Sequence, residues 1–327
     1  MMDSSLAKRT VVVATKIILD CDPGHDDAVA VLLALASPQQ IEVLGLTVVG
    51  GNVPLARTVD NALRVLMLAQ REDIPVYGGC PRPLLREMVT AEYVHGESGL
   101  NTGSGQLLAL PKTQVQEQHA VTYLIETIRA SVDKTVTLVA TGPLTNLAAA
   151  FAMAPDIIDR LYRVVCMGGA YHEPGNITPA AEFNIYVDPH AAKAVVDSGV
   201  DLVLFGLDIT HQMRITPSRL ADIAKKGGRC GGVVADLLDF FNQYDMSKYG
   251  WDGAPLHDPC TIAYLIDSTI FSGREMSVAV DINEGTNLGR TVADWYAVTD
   301  AKLNATVITD GDSDRFFDLI VERLATL

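Results

Sequence analysis

The sequence predicts a single α/β domain with a mostly parallel, open sheet flanked by helices. Three observations lead there. Short apolar runs recur along the chain without the strict alternation of a half-solvated strand, as strands buried on both faces require. Stretches with helical apolar spacing separate them, so strand and helix alternate. No internal repeat, low-complexity tract or Pro/Ser-rich linker divides the 327 residues.

In chain order, strands are expected at 16–20, 41–49, 135–140, 162–167 and 201–206. Apolar spacing places helices between them at 28–36, 55–69, 119–131, 144–152 and 189–198. Beyond Thr216 the pattern turns helical, at 217–226, 233–244 and 259–266. The tail returns to strands at 276–281, 291–298 and 303–308, then closes with a helix at 313–324. Residues 1–15 are expected to be a disordered leader and 16–327 one domain. Lys8 and Arg9 precede Val11-Val12-Val13-Ala14 as in a signal peptide, but Lys16 breaks the run and an acidic motif follows. No stretch approaches the ~20 apolar residues that span a bilayer.

Composition narrows the function. With 48% hydrophobic residues the chain can bury a large core. Lys plus Arg number 25 and Asp plus Glu 40, a net charge of −15. Nucleic-acid and anionic-membrane surfaces want clustered cations, so neither partner is expected. Five cysteines (Cys21, Cys80, Cys166, Cys230, Cys260) include no CxxC pair, which disfavours a structural zinc site or a disulfide framework. A reducing, cytoplasmic setting fits best.

The most informative segment is Ile17-Ile18-Leu19-Asp20-Cys21-Asp22-Pro23-Gly24-His25-Asp26-Asp27. Four carboxylates fall within eight positions directly after an apolar strand, and Pro23-Gly24 turns the chain. In open α/β sheets, ligands bind outside the carboxyl ends of strands. Helix capping explains one Asp, not four. Packing so many anions together costs energy unless protons or a cation neutralise them. The donors are carboxylate oxygens, with no thiolate pair, so a hard ion such as Ca²⁺ or Mg²⁺ suits them and Zn²⁺ does not. Other polar strand and helix ends repeat the pattern: Gly50-Gly51-Asn52, Thr141-Gly142-Pro143, Met167-Gly168-Gly169 and His257-Asp258-Pro259.

These segments resemble the inosine–uridine-preferring nucleoside hydrolase family. The opening Asp20-Cys21-Asp22-Pro23-Gly24-His25-Asp26-Asp27 is joined, in order, by His95-Gly96-Glu97-Ser98-Gly99, Ala181-Glu182-Phe183-Asn184 and His257-Asp258-Pro259. The likeness runs from about Lys16 to the C-terminal helix. It implies a Rossmann-like open sheet, hydrolysis of ribonucleosides to base and ribose, and a homo-oligomer, dimer or tetramer. It implies Ca²⁺ held by Asp22, Asp27, Asp258 and the carbonyl of Thr141, with Asp22 as general base. Asp26, Asn52, Asn176, Glu182 and Asn184 would grip the ribose, and Met167 would line the pocket. His257 matches the position that protonates the departing base, and His95 falls in a loop over the site. His25 is common at its position and is assigned no catalytic role.

Over 240–249 the alignment with the family slips; Tyr244 and Tyr249 are candidates for base contact, with helix-core packing the competing account. Two other functions compete with this one. A haloacid-dehalogenase-type phosphatase also ends a strand in Asp-x-Asp, but Gly24, Pro23 and the Asp26-Asp27 pair are foreign to it. A Ca²⁺-dependent nucleoside- or ribose-binding protein would need neither Asp22 nor His257.

Overall fold

A computed structural model describes residues 14–327, so the leader expected at 1–15 falls outside the described residues as far as residue 13. The ten strands found there are β1 (Thr15–Cys21), β2 (Ile41–Val48), β3 (Val76–Gly78), β4 (Val136–Ala140), β5 (Arg163–Met167), β6 (Leu202–Phe205), β7 (Phe271–Met276), β8 (Val278–Val280), β9 (Thr291–Ala293) and β10 (Ala305–Gly311). Eight form one sheet in the order β3-β2-β1-β4-β5-β6-β10-β7. Every pairing in it is parallel except that of β10 with the edge strand β7. The short strands β8 and β9 pair antiparallel on their own.

The chain builds outward from β1 to β3, then crosses back to lay β4 against the other side of β1. Strand order therefore reverses between β1 and β4, the place where open sheets leave a crevice. Both faces are covered, as the unbroken apolar runs predict. Ile17, Leu19 and Cys21 of β1 pack with the helices His25–Leu35, Leu55–Ala69, Gly228–Tyr249, Pro259–Ile266 and Ser313–Leu324. Ile18 faces Ala120–Ala130, Thr145–Met153 and Pro189–Val196. This is the expected single-domain architecture, and the helices at 55–69, 217–226, 259–266 and 313–324 have the expected bounds.

The departures have local causes. The helix expected from residue 28 begins at His25, because Asp27 Oδ2 accepts from the Gly24 amide at 3.0 Å and closes the first turn. The helix expected at 233–244 runs from Gly228 to Tyr249. β3 has only three residues, too few for periodicity to register. β7 exposes its middle residues Ser272–Glu275 and lacks an apolar run. The strand expected at 276–281 is divided between two sheets: Met276 ends β7, while Asn304 takes the amide and carbonyl of Val278 with its own side chain, at 2.8 and 2.9 Å.

Phe205 at the end of β6 is fully buried, edge-on to Tyr264 at 5.6 Å and Phe271 at 5.2 Å. Phe205→Ala is expected to lower unfolding free energy by about 3–5 kcal/mol. Urea titration of both proteins checks this; a loss below about 1 kcal/mol would mean that the β6 face is not the close-packed core described.

Candidate active site

The floor of the site is made by strand ends at the reversal point. β1 delivers Asp22, the Pro23-Gly24 turn follows, and Asp26 and Asp27 fall in the first turn of the next helix. Carboxylates there meet the positive end of the helix dipole. Asn52, just past β2, ties the segment together. Its amide donates to Asp22 Oδ2 at 2.7 Å, and its side chain donates to the Asp22 carbonyl at 3.1 Å and to Asp27 Oδ2 at 3.2 Å. Glycine at 51 is what permits this approach, since a Cβ there would stand 2.0 Å from Asp22 Oδ2. Thr141, past β4, donates its hydroxyl to Asp27 Oδ1 at 2.8 Å.

Asp258 reaches the same place from the start of the helix Pro259–Ile266. Oxygens of Asp26, Asp27 and Asp258 lie within 4.8 Å of one another, and all three residues are buried. Burial, and next the charge of Asp27, pushes the Asp26 carboxyl up to about 7. Burial raises Asp27 as well. Asp22 is raised by burial and by Asp27, and Asp258 by burial and by Asp26, Asp27 and Asp22. Such a group persists only if protons or a cation neutralise it. Asp22 Oδ1 is buried without a hydrogen-bond partner among the described residues. The all-oxygen cluster of Asp26, Asp27 and Asp258, with the unpartnered Asp22 Oδ1 beside it, fits a hard divalent ion. Asp20 stands apart from it, accepting from Thr47 Oγ1 at 2.6 Å and Asn146 Nδ2 at 2.9 Å, and its carboxyl rises through burial to about 7.

Above this floor opens a concave cleft, the kind of place where small ligands bind. Most of the residues singled out in the sequence line it: Asp26, Asn52, His95, Thr141, Met167, Asn176, Glu182, Asn184, Tyr244, Tyr249, His257 and Asp258. Asp22 and Asp27 do not line it but are bonded to Asn52 and Thr141, which do. The three atoms sets within ligand distance belong to Asp26, Asp27 and Asp258 rather than to Asp22.

One wall is the short helix Phe183–Val187. Glu182 caps it, accepting from the amides of Asn184 at 2.8 Å and Ile185 at 3.2 Å, and also from Gly169 at 3.1 Å. Burial lifts the Glu182 carboxyl to about 7. Asn184 Nδ2 donates to the Thr141 carbonyl at 2.8 Å, so that carbonyl is already engaged on one side. Asn176 Oδ1 accepts from the Phe183 amide at 2.9 Å.

Two histidines complete the lining. His257 Nδ1 lies 2.7 Å from Thr210 Oγ1, and burial pulls its pKa down to about 3, so the ring is neutral. His95 is buried too, and burial together with His25 and His257 holds it well below the usual imidazole range. Tyr244 and Tyr249 project from the last turns of the helix Gly228–Tyr249, and both border the cleft, so their role is not confined to core packing. The sequence reading missed Tyr93, Val94, Phe183, Phe241 and Asp245, which also line it. Phe183 lay inside a motif already singled out, and Asp245 between the two tyrosines; Tyr93, which meets the Tyr244 ring at 5.3 Å, carried no signal of its own.

Comparison with known proteins agrees with this arrangement. The family model of inosine-uridine preferring nucleoside hydrolase matches residues 17–318. Pyrimidine-specific ribonucleoside hydrolase RihA of Salmonella gallinarum is 48% identical over 312 residues, covering 95% of this chain and 98% of the relative. A plant nucleoside hydrolase, the PpNRh1 enzyme, superposes with a TM-score of 0.89 at 34% identity, covering 96% of this chain and 99% of its own. The purine-preferring ribonucleoside hydrolase from Gardnerella vaginalis superposes with a TM-score of 0.87 at 31% identity, over 95% and 98% of the two chains.

Fold, cleft and matches together define an N-glycosidase that hydrolyses ribonucleosides. The chain belongs to the inosine-uridine preferring nucleoside hydrolase family. Membership removes the phosphatase alternative.

Proposed function

We propose that this enzyme cuts ribonucleosides into base and ribose with a Ca²⁺ ion seated on its carboxylate floor, Asp22 as general base and His257 as the acid that serves the leaving base. The ion would be held by Asp22, Asp27, Asp258 and the Thr141 carbonyl, with Asp26 alongside. The observation that carries the reading is the spare oxygen of Asp22: a buried, unpartnered carboxylate oxygen beside a cluster that requires a counter-charge. When bound, the cation supplies that counter-charge and a Lewis-acidic centre.

The chain's own groups account for the remaining steps. Asp22 takes a proton from the attacking water as the glycosidic bond breaks through an oxocarbenium-like state. Asp26, Asn52, Asn176, Glu182 and Asn184 hold the ribose hydroxyls, and the surrounding carboxylates stabilise positive charge on the sugar. Met167 packs against it. His257 is neutral, so it gives the departing base a hydrogen bond, and the proton that the base finally keeps is the one Asp22 takes from the water. A hydrogen donated by Thr210 Oγ1 to Nδ1 leaves Nε2–H for the departing base. Tyr244, Tyr249 and His95, which line the cleft, would face the base.

We extend to this chain the pyrimidine preference named for RihA, on the strength of 48% identity across nearly the whole length. We also assign it to the cytoplasm, where its five free cysteines stay reduced, and to a homodimer or homotetramer. Among the described residues no helix is long and apolar enough to cross a membrane.

A panel of nucleosides assayed for free ribose tests the activity and its ion together. Uridine and cytidine should turn over faster than inosine, and a calcium chelator should abolish the rate and lower Tm, with Ca²⁺ restoring both. A protein that binds uridine but never releases ribose would be the binding-only alternative. Asp22→Asn should keep the fold and lose ~10²–10⁴-fold in kcat; near-normal turnover would remove Asp22 as the base. His257→Ala should slow uridine more than p-nitrophenyl riboside, whose leaving group needs no proton. Equal losses on both substrates would take the acid role from His257.

A further inference from the structure

His25 and His95 form a buried imidazole pair at the edge of the cleft. His25 opens the helix His25–Leu35 and is fully buried. Its ring stacks on those of His95, Phe240 and Phe241, with centroids 5.2, 5.5 and 5.6 Å away. Its Nε2 lies 2.7 Å from the backbone carbonyl of Asn101, and its Nδ1 lies 3.0 Å from His95 Nδ1. Glycine at 24 leaves the room, since a Cβ there would stand 2.6 Å from His95 Nδ1.

These contacts fix where the hydrogens are. A carbonyl oxygen only accepts, so His25 Nε2 carries the hydrogen. A neutral imidazole has one N–H, which leaves His25 Nδ1 bare. Two bare nitrogens 3.0 Å apart would repel, so His95 Nδ1 carries its hydrogen and donates it to His25. His95 Nε2 is then the bare nitrogen. The opposite assignment gains an amide contact, His25 N to His95 Nδ1 at 3.4 Å. It would also set a lone pair against the Asn101 carbonyl at 2.7 Å, and the shorter contact decides.

We propose that His25 is a positioning residue that, anchored on the Asn101 carbonyl, fixes His95 in its Nδ1–H form so that His95 Nε2 accepts a hydrogen from the bound nucleoside. This rests on the nucleoside reading above and adds to it a directional acceptor on the wall. The hydrogen comes from an N–H of the base or from the 5′-hydroxyl of the ribose, and two analogues separate these sources. A free imidazole prefers the Nε2–H form, so without His25 the wall would present a donor instead.

The test uses ¹⁵N-histidine-labelled full-length enzyme, reading each tautomer from two-bond ¹⁵N–¹H couplings. In the unmodified protein His95 should show Nδ1–H and His25 Nε2–H. His25→Phe keeps an aromatic ring in the stack but removes the acceptor. His95 should switch to Nε2–H, and kcat/KM for uridine should fall about tenfold, mainly through KM, the scale of one buried hydrogen bond. His25→Asn, whose side-chain oxygen can stand near the lost Nδ1, should restore both readouts to within about threefold on the same scale. The His25→Phe penalty should vanish on 3-methyluridine if the donor is the base N–H, or on 5′-deoxyuridine if it is the ribose hydroxyl. Nε2–H on His95 in the unmodified protein, or an equal penalty on all three substrates, would overturn the proposal. Absence of any uridine cleavage would instead count against the functional reading, because the tautomers are read without turnover.

Discussion

Like-charge repulsion among buried carboxylates is the constraint around which this molecule is arranged. Asp26, Asp27 and Asp258 bring oxygens within 4.8 Å of one another, buried where water screens them poorly. The fold meets that cost with directed donors. Gly24, Asn52 and Thr141 each give a hydrogen to Asp27, and the Asn52 amide gives another to Asp22. Each donor arrives from a different chain segment, so the sheet, the first helical turn and the two neighbouring strand ends must all be in place before the acids can be tolerated together. Local folding and site assembly are one event here.

The histidines follow the complementary logic. Burial disfavours the imidazolium at His25, which falls to about 4, and at His257, which falls to about 3. The cleft therefore sets clustered carboxyl groups on its floor and a neutral imidazole, His257, on its wall. Under the mechanism proposed above, that division suits a sugar that becomes cationic while its base departs with electrons: the carboxylates stabilise the one, and a directed hydrogen serves the other.

Much of this was legible in the sequence, and the reasons lie in particular residues. Asp22, Asp26 and Asp27 sit within six positions of one strand end, so their meeting is a local matter that spacing reveals. β1, β2 and β4 to β6 are buried on both faces and read as apolar runs. β7 escaped notice because an edge strand with four exposed residues has no such run. The cleft walls were harder. Tyr93 and Tyr244 are separated by about half the chain yet face each other across 5.3 Å, a contact created by tertiary packing alone. The His25–His95 bond spans 70 positions, and neither residue announces the other.

Floor and walls also have separate origins. The floor is carried by strand termini and helix starts, whose backbone is fixed by the sheet. Besides the short helix Phe183–Val187, the walls come from the segment around Tyr93 and His95 and from the far end of the long helix at Tyr244, Asp245 and Tyr249. His95 is tied to the floor segment through His25, whereas Tyr93 and Tyr244 meet each other and, among the described residues, share no hydrogen bond with the floor carboxylates. With the tyrosines on the base side as proposed, a change of diet from one nucleobase to another is open to this fold while the bond-breaking apparatus stays intact.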